Sequence, residues 1–243
     1  MPINNIKKFN SFSNVQHVGI IMDGNRRWAK SKGLKKIEGH KQGAGAAKNI
    51  IKAAVENNIA HLTLFAFSSE NWKRGSSEID DLIGLLRFFL KKEINNLIKS
   101  GIKIKILGEL SLFPEDIISL LNKSVSISKN NNKLNLIIAI NYGSRQEITY
   151  AVKKIVKEAL LKKININDIN EDTITNFLYT EGVPEPDLII RTGGDCRLSN
   201  FLLWQSAYSE LLFIKKAWPD FTRDDFLQAV NEFNNRERRF GGC

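Results

Sequence analysis

Directly after an apolar run, Val18-Gly19-Ile20-Ile21-Met22, the chain sets an acid, a glycine, an amide and two guanidiniums in succession: Asp23-Gly24-Asn25-Arg26-Arg27, closed by Trp28. Asp-Gly-Asn tolerates the backbone angles of a tight loop leaving a strand. In such a loop the carboxylate faces backbone N–H groups and both arginines. That combination suits a metal-bound phosphate or diphosphate: N–H groups and guanidiniums take the phosphate oxygens while the acid holds a hard cation. An acid that caps the next turn and pairs with a neighbouring arginine is the competing reading. This segment alone leaves both open.

Similar groups recur downstream of other apolar runs. They are Ser68-Ser69-Glu70-Asn71-Trp72-Lys73-Arg74, then Asn141-Tyr142-Gly143-Ser144-Arg145, Arg191-Thr192-Gly193-Gly194 and Arg197-Leu198-Ser199-Asn200. In open α/β sheets a ligand sits in the crevice outside the carboxyl ends of the strands. If these runs are parallel strands, one sheet edge gathers arginines, hydroxyls and amides with very few acids. A substrate carrying several phosphate charges matches that edge. Neither a Gly-x-x-x-x-Gly-Lys-Ser/Thr loop nor a Gly-x-Gly-x-x-Gly after the first strand is present, which argues against nucleotide binding. Gly43-Ala44-Gly45 falls inside a helical pattern, where close helix packing is the simpler role.

The elements that must position these groups alternate from end to end. Val18–Met22 is the first strand, followed by a helix from about Gly39 to Asn58. His61–Phe67 is a second strand, rich in β-favouring types. Ser76-Ser77 would cap a long helix whose apolar positions, Leu82 to Ile98, keep helical spacing. Its Phe88 and Phe89 exceed a narrow core stripe; a thick core is preferred over a greasy channel. Ile102–Leu107 is a third strand, and Pro114 opens the next helix at its first position. Leu134–Ile140, Asp187–Ile190 and Leu211–Ile214 are further strands, with a helix over Gln146–Leu161 between the first two. Thr222-Arg223-Asp224-Asp225 starts the last helix as a capping box. Only Asn165–Asp172 and Gly182–Pro186 read as loops of length. The fold expected is a single α/β domain, a mostly parallel six-stranded sheet flanked by helices on both faces. Residues 1–14 read as a flexible segment and 15–243 as that domain.

At 243 residues, with 42% apolar and 26% charged side chains, the chain can bury a full core. Its net charge of +10 admits nucleic acid, an anionic membrane or anionic substrates, but the lysines are scattered along helix faces. Nucleic-acid binding is set aside for want of a basic helix face or a helix-turn-helix pattern. Two cysteines, Cys196 and Cys243, fit a reducing cytoplasm. No run is long and apolar enough for a membrane helix. The expectation is a cytoplasmic protein, at most peripheral at a membrane surface.

The segments His17–Trp28, Ser68–Arg74, Asp187–Gly194, Arg197–Gln205, Tyr208–Leu211 and Arg236–Gly242 together resemble the signature blocks of cis-prenyltransferases, most closely the bacterial undecaprenyl diphosphate synthases. The resemblance runs in order from about residue 15 to the end. It implies a homodimeric, magnesium-dependent enzyme with a hydrophobic tunnel. Such an enzyme condenses isopentenyl diphosphate onto an allylic diphosphate such as farnesyl diphosphate. The implied product is a long polyprenyl diphosphate, with undecaprenyl diphosphate, a lipid carrier precursor for cell-wall glycans, as the nearest match.

By position, the resemblance makes Asp23 the essential acid and a Mg2+ ligand, with Glu210 as the second metal carboxylate. Gly24, Asn25, Arg26, Arg27, Trp28, Lys36, His40 and Arg74 fall in the allylic diphosphate region. Ser68, Ser69, Glu70 and Trp72 shape the pocket, while Arg191, Arg197, Leu198 and Ser199 hold isopentenyl diphosphate. Asn71 matches the proton-acceptor position, but a neutral amide has almost no proton affinity, so orienting substrate or relaying the proton suits it better. Three positions depart from the usual pattern: Arg26 replaces a common glycine, Lys36 a common arginine, and Cys196 a histidine found in some members. A non-catalytic subunit of the same fold is the rival reading, opposed by the retention of Asp23 and Arg197-Leu198-Ser199.

Overall fold

The apolar runs form six strands: β1 His17–Ile21, β2 His61–Ser68, β3 Ile102–Leu107, β4 Leu134–Tyr142, β5 Leu188–Arg191 and β6 Glu210–Phe213. Their spatial order is β3-β4-β2-β1-β5-β6, and every pairing is parallel. This computed structural model describes residues 15–236. The 1–14 segment read as flexible, and the 237–243 part of the arginine-rich tail, lie outside the described residues.

Burial on both faces explains why β1 and β4 read as unbroken apolar runs. Successive side chains alternate between faces. Val18, Ile20, Leu62, Leu64, Leu136, Ile138 and Ile190 join the larger core, whereas Ile21, Ile137, Ala139 and Ile189 join the smaller one under Phe201 and Leu202. The helices are α1 Asn25–Ser31, α2 Lys36–Glu56, α3 Ser76–Lys92, α4 Ile94–Lys99, α5 Glu115–Ser128, α6 Ser144–Leu160, α7 Glu171–Phe177 and α8 Arg223–Asn234. The single α/β domain foreseen from alternation is the one observed.

Several local expectations change. β1 ends at Ile21, and the arginine loop after it is itself a short helix, α1, entered through Gly24 at φ 101°. α2 begins at Lys36 rather than Gly39, which brings Lys36 and His40 onto its opening turns. Gly75, not Ser76-Ser77, precedes α3, and no side chain caps it. Pro114 lies just outside α5 instead of at its first position. The long helix is broken at Glu93, whose carboxylate lies 2.6 Å from Lys48 Nζ on α2. No glycine or proline marks that break, so periodicity could not reveal it. Part of the expected 165–172 loop joins α7, while Thr192 to Ser209 forms a long run of turns. Thr222 and Asp225 do form the expected capping box, with Asp225 N–H donating to Thr222 Oγ1 at 3.2 Å.

His17 ties the opening of the sheet together. Its Nδ1–H donates to Pro184 O at 2.7 Å, so Nε2 accepts from the Thr63 hydroxyl, also at 2.7 Å. Burial lowers its pKa to about 4. The unfolded chain therefore binds a proton that the folded one refuses. Stability from this residue is present above about pH 6.5 and lost as pH falls toward about 4, at about 1.4 kcal/mol per pH unit. Urea unfolding between pH 7 and 4.5 should show a slope shallower by that amount in His17→Gln. Equal slopes in both chains would refute this account.

Candidate active site

Strand order reverses at β1, which has β2 on one side and β5 on the other. The loops leaving β1 and β5 therefore diverge and leave a crevice at their carboxyl ends. Asp23 stands in that crevice and is held from several sides. Its N–H donates to Ile21 O at 3.0 Å and Thr192 Oγ1 at 3.1 Å, and its carbonyl accepts from Trp218 N–H at 2.9 Å. Oδ1 accepts the Gly24 N–H at 2.6 Å. Glycine is required at two points of close approach. A Cβ on Gly24 would stand 2.8 Å from Ala217 Cβ, and one on Gly193, at φ 86°, would stand 2.9 Å from Arg27 Nη2.

Arg191, the last residue of β5, has a buried side chain that donates from Nη2 to Asp23 Oδ2 at 2.8 Å. Its Nη1 donates to Ser199 Oγ at 2.7 Å and to Arg197 O. Arg27 Nη2 approaches the same Asp23 oxygen at 3.2 Å. Burial pushes the Asp23 carboxyl up, but the Arg191 hydrogen bond, the Gly24 N–H and the two guanidinium charges together hold it below the usual range. Asp195, which sequence reasoning overlooked, meets Arg27 at 3.4 Å, Arg191 at 3.4 Å and Arg197 at 2.5 Å.

A second cationic cluster lies toward α3. Glu78, also overlooked, accepts from Arg74 at 2.8 Å and lies 3.5 Å from Arg26 and 3.4 Å from Lys36. Burial pushes its carboxyl up, and the charges of Arg74 and Arg26 more than reverse that. The edge read as poor in acids thus carries Glu70, Glu78 and Asp195 among its arginines. Glu70 came with the Ser68–Arg74 segment, but the spacing of Glu78 and Asp195 matched no motif, and only the fold brings those two here. Beside this cluster His40 Nε2 is buried without a hydrogen-bond partner among the described residues. Burial, then the charge of Arg74, lowers the His40 pKa to about 4, so its ring is neutral at pH 7.

Both clusters open on one cavity of about 1360 Å³. Its apolar wall runs between the small residues Gly43, Ala44 and Ala47 of α2 and Leu82, Leu86 and Phe89 of α3. The excess of large side chains on α3, attributed above to core thickness, is split: Phe89 lines the cavity and Phe88 faces outward, 51% exposed. Gly43 packs closely as expected, against Asn25 and Trp218, but nothing lies within 4 Å of a Cβ on Gly45.

Of the residues singled out by sequence, Asp23, Gly24, Asn25, Arg26, Arg27, Lys36, His40, Ser68, Glu70, Asn71, Arg74, Arg191, Arg197 and Ser199 all line this cavity. Asn71 Nδ2 donates to Ser68 Oγ at 2.8 Å, and its Oδ1 accepts the Ser68 N–H at 3.3 Å. The amide therefore braces the turn after β2. Others stand away. Trp28 turns outward to donate to Asp220 at 2.7 Å. The Ser69 hydroxyl is buried beside Gly143. Trp72 packs between Phe67 and Phe113 and donates to Asn141 Oδ1 at 2.8 Å. Leu198 packs against the smaller core.

Glu210 requires a correction. It pairs in register with Leu188, at the start of β6, while Asp23 lies beyond the Ile21–Arg191–Phe213 end. Three residues of strand, about 10 Å, separate the two levels, and Glu210 instead accepts from Arg236 at 2.8 Å. Within one chain it does not complete a metal site with Asp23. Among the described residues no group of three or more His, Cys, Asp or Glu could hold a metal ion. Asp23 still suits Mg2+, which keeps few protein ligands and takes the rest from substrate phosphates and water.

The prenyltransferase family model described as undecaprenyl diphosphate synthase matches residues 21–241. The chain is 48% identical over 227 residues to an isoprenyl transferase of Zymomonas mobilis, covering 93% of this chain and 92% of that one. It is 46% identical over 234 residues to one of Rickettsia felis, covering 96% and 97%. Among solved structures, lavandulyl diphosphate synthase from Lavandula x intermedia, in complex with dimethylallyl diphosphate, superposes with a TM-score of 0.92. It is 36% identical, with 94% of this chain and 99% of that one covered. A probable undecaprenyl diphosphate synthase from Campylobacter jejuni gives 0.79 at 33% identity, covering 95% and 100%.

The close approach at Gly193 yields a test of the cradle. Gly193→Ala must adopt a left-handed backbone and displace Arg27, at a cost of about 1–3 kcal/mol. Thermal unfolding should register the loss, and a melting temperature equal to the parent's would contradict it.

Proposed function

This chain belongs to the undecaprenyl diphosphate synthase family of prenyltransferases, and on that premise we propose that it condenses isopentenyl diphosphate repeatedly onto farnesyl diphosphate. The enzyme class, cis-prenyl chain elongation, follows from the family. The two substrates, the undecaprenyl length of the product and its use as a cell-wall lipid carrier are the proposal. One observation carries it: Asp23 lies at the mouth of an apolar-walled cavity, with Arg27, Arg191 and Arg197 on one flank and Arg26, Lys36 and Arg74 on the other. Two cationic flanks suit two diphosphates, and the apolar wall suits a growing hydrocarbon.

In this reading the Arg26, Lys36 and Arg74 flank holds the allylic diphosphate, with Arg27 reaching in from the other flank and Gly24 and Asn25 beneath it. Arg191, Arg197 and Ser199 hold isopentenyl diphosphate. The allylic carbon–oxygen bond breaks, the double bond of isopentenyl diphosphate attacks the allylic carbon, and the released diphosphate takes the proton that leaves. Guanidiniums already in place stabilise the negative charge where it develops. His40, neutral at pH 7, can donate an N–H to the same oxygens without needing to be charged. Asn71, braced against Ser68, positions the isopentenyl chain and leaves the proton to diphosphate. Leu82, Leu86 and Phe89 exclude water from the cationic intermediate. Bound by Asp23 and substrate phosphate oxygens, Mg2+ would neutralise charge on the departing diphosphate.

A homodimer belongs to the same proposal. α6 exposes Val152, Val156 and Leu160 along one side, with Leu161 after it, and Leu203, Tyr208 and Leu211 are exposed toward the β6 edge. A soluble surface rarely leaves so many apolar side chains open unless something covers them. No helix among the described residues is long and apolar enough to cross a membrane. The same proposal places the enzyme in the cytoplasm, with any contact with a bilayer peripheral.

Two measurements test this reading. Asp23→Ala should abolish turnover of farnesyl and isopentenyl diphosphates while keeping the fold, and Arg197→Ala should weaken isopentenyl diphosphate by about 1.5–3 kcal/mol, as for a charged hydrogen bond. Chromatography of the product then gives its length; no elongated product from the parent chain would end the proposal. Val156→Glu should convert a dimer into a monomer in sedimentation velocity, and an unchanged sedimentation coefficient would reject that surface.

A further inference from the structure

The two faces of α3 differ in a way that the reaction does not use. Leu82, Leu86 and Phe89 face the cavity, but the opposite side of the helix's second half carries Phe88, Lys91 and Lys92, all exposed. Phe88 is 51% exposed, and Lys92 Nζ lies 5.2 Å from its ring centroid. Asn95 and Lys99 of α4 continue the exposed stripe beyond the break. Two nearby acids are engaged: Glu93 turns inward to Lys48, and Asp116 at the start of α5 takes Arg87 in two bonds of 2.6 and 3.1 Å. That pair also brings the α5 approach beside α3, where Leu112 is 61% exposed. An aromatic ring and a leucine set among exposed lysines have the makeup of a surface that rests in the headgroup layer of an anionic bilayer.

We propose that this outer face of α3 docks the protein on an anionic lipid surface, placing the helix that walls the cavity against the bilayer. The inference rests on the prenyl-elongation reading, which puts a lipid in the cavity behind α3. A product too apolar for water would then have one helix to pass. Lysines near an anionic surface each contribute roughly fivefold in affinity.

The test uses the intact chain without substrate, sedimented with vesicles of phosphatidylglycerol and phosphatidylcholine or of phosphatidylcholine alone. The parent should pellet with the anionic vesicles, less so as salt rises, and not with the neutral ones. Lys91→Glu with Lys92→Glu should weaken binding roughly 25-fold or more, and Phe88→Ser severalfold. Lys153→Glu with Lys154→Glu, the same charge change on α6, should bind as the parent does. No pelleting of the parent, equal pelleting with neutral vesicles, or equal losses from the α3 and α6 variants would overturn the assignment. Turnover in detergent solution with a short soluble primer should be unchanged in the α3 variants. Absent turnover in the parent would overturn the enzymatic reading alone, since vesicle binding is read without substrate.

Discussion

Like charges do not share a crevice unless something of opposite sign sits among them, and the rest of this molecule is arranged around that constraint. Arg27, Arg191 and Arg197 converge on Asp23 and Asp195; Arg26, Lys36 and Arg74 converge on Glu78. Arg191 depends on this most. A guanidinium so deeply buried would be costly without charged and hydroxyl partners, and it finds them in Asp23, Ser199 and the Arg197 carbonyl. The acids make it possible to preassemble cations before any substrate arrives. Preassembly is what gives electrostatic stabilisation its value, because fixed charges need not reorganise as the reaction proceeds.

The sheet supplies the fixed frame. Reversal of strand order at β1 sends two loops apart, and Gly24 and Gly193 let their backbones meet again without side chains between them. Beyond the polar rim, side-chain size does the remaining work. α2 presents glycine and alanine where α3 presents leucine and phenylalanine, so the helices leave room between them instead of closing on each other. Close-packed interiors rarely tolerate such a void. This one persists because its walls are set by the sheet and by helices packed elsewhere.

Much of this was legible in the sequence because it depends on local chemistry. Apolar runs gave the parallel strands, and the residues just after them gave Asp23, Arg74, Arg191 and Arg197, since a strand's end fixes where its next residue must be. What stayed hidden depends on three-dimensional encounter. Glu78 lies on α3, far in sequence from Arg26, and nothing in its neighbours marks it as their counter-charge. The helix break at Glu93 has no local breaker, and what stands at it is a contact with Lys48 on another helix. Glu210 shows the converse limit: similarity of position placed it with Asp23, but strand register sets it at the opposite level of the sheet. Trp28 and Trp72 likewise sit near the site in sequence while packing away from it.

The attachment of α3 is unequal at its two ends. Near the mouth, Glu78 is bound by Arg26, Lys36 and Arg74 among the described residues, whereas at the far end Glu93 is held by Lys48, which lies outside the cavity lining. An anion arriving at those three cations competes with Glu78 for them and leaves the Lys48–Glu93 contact untouched. Substrate and helix thus draw on the same three positive charges.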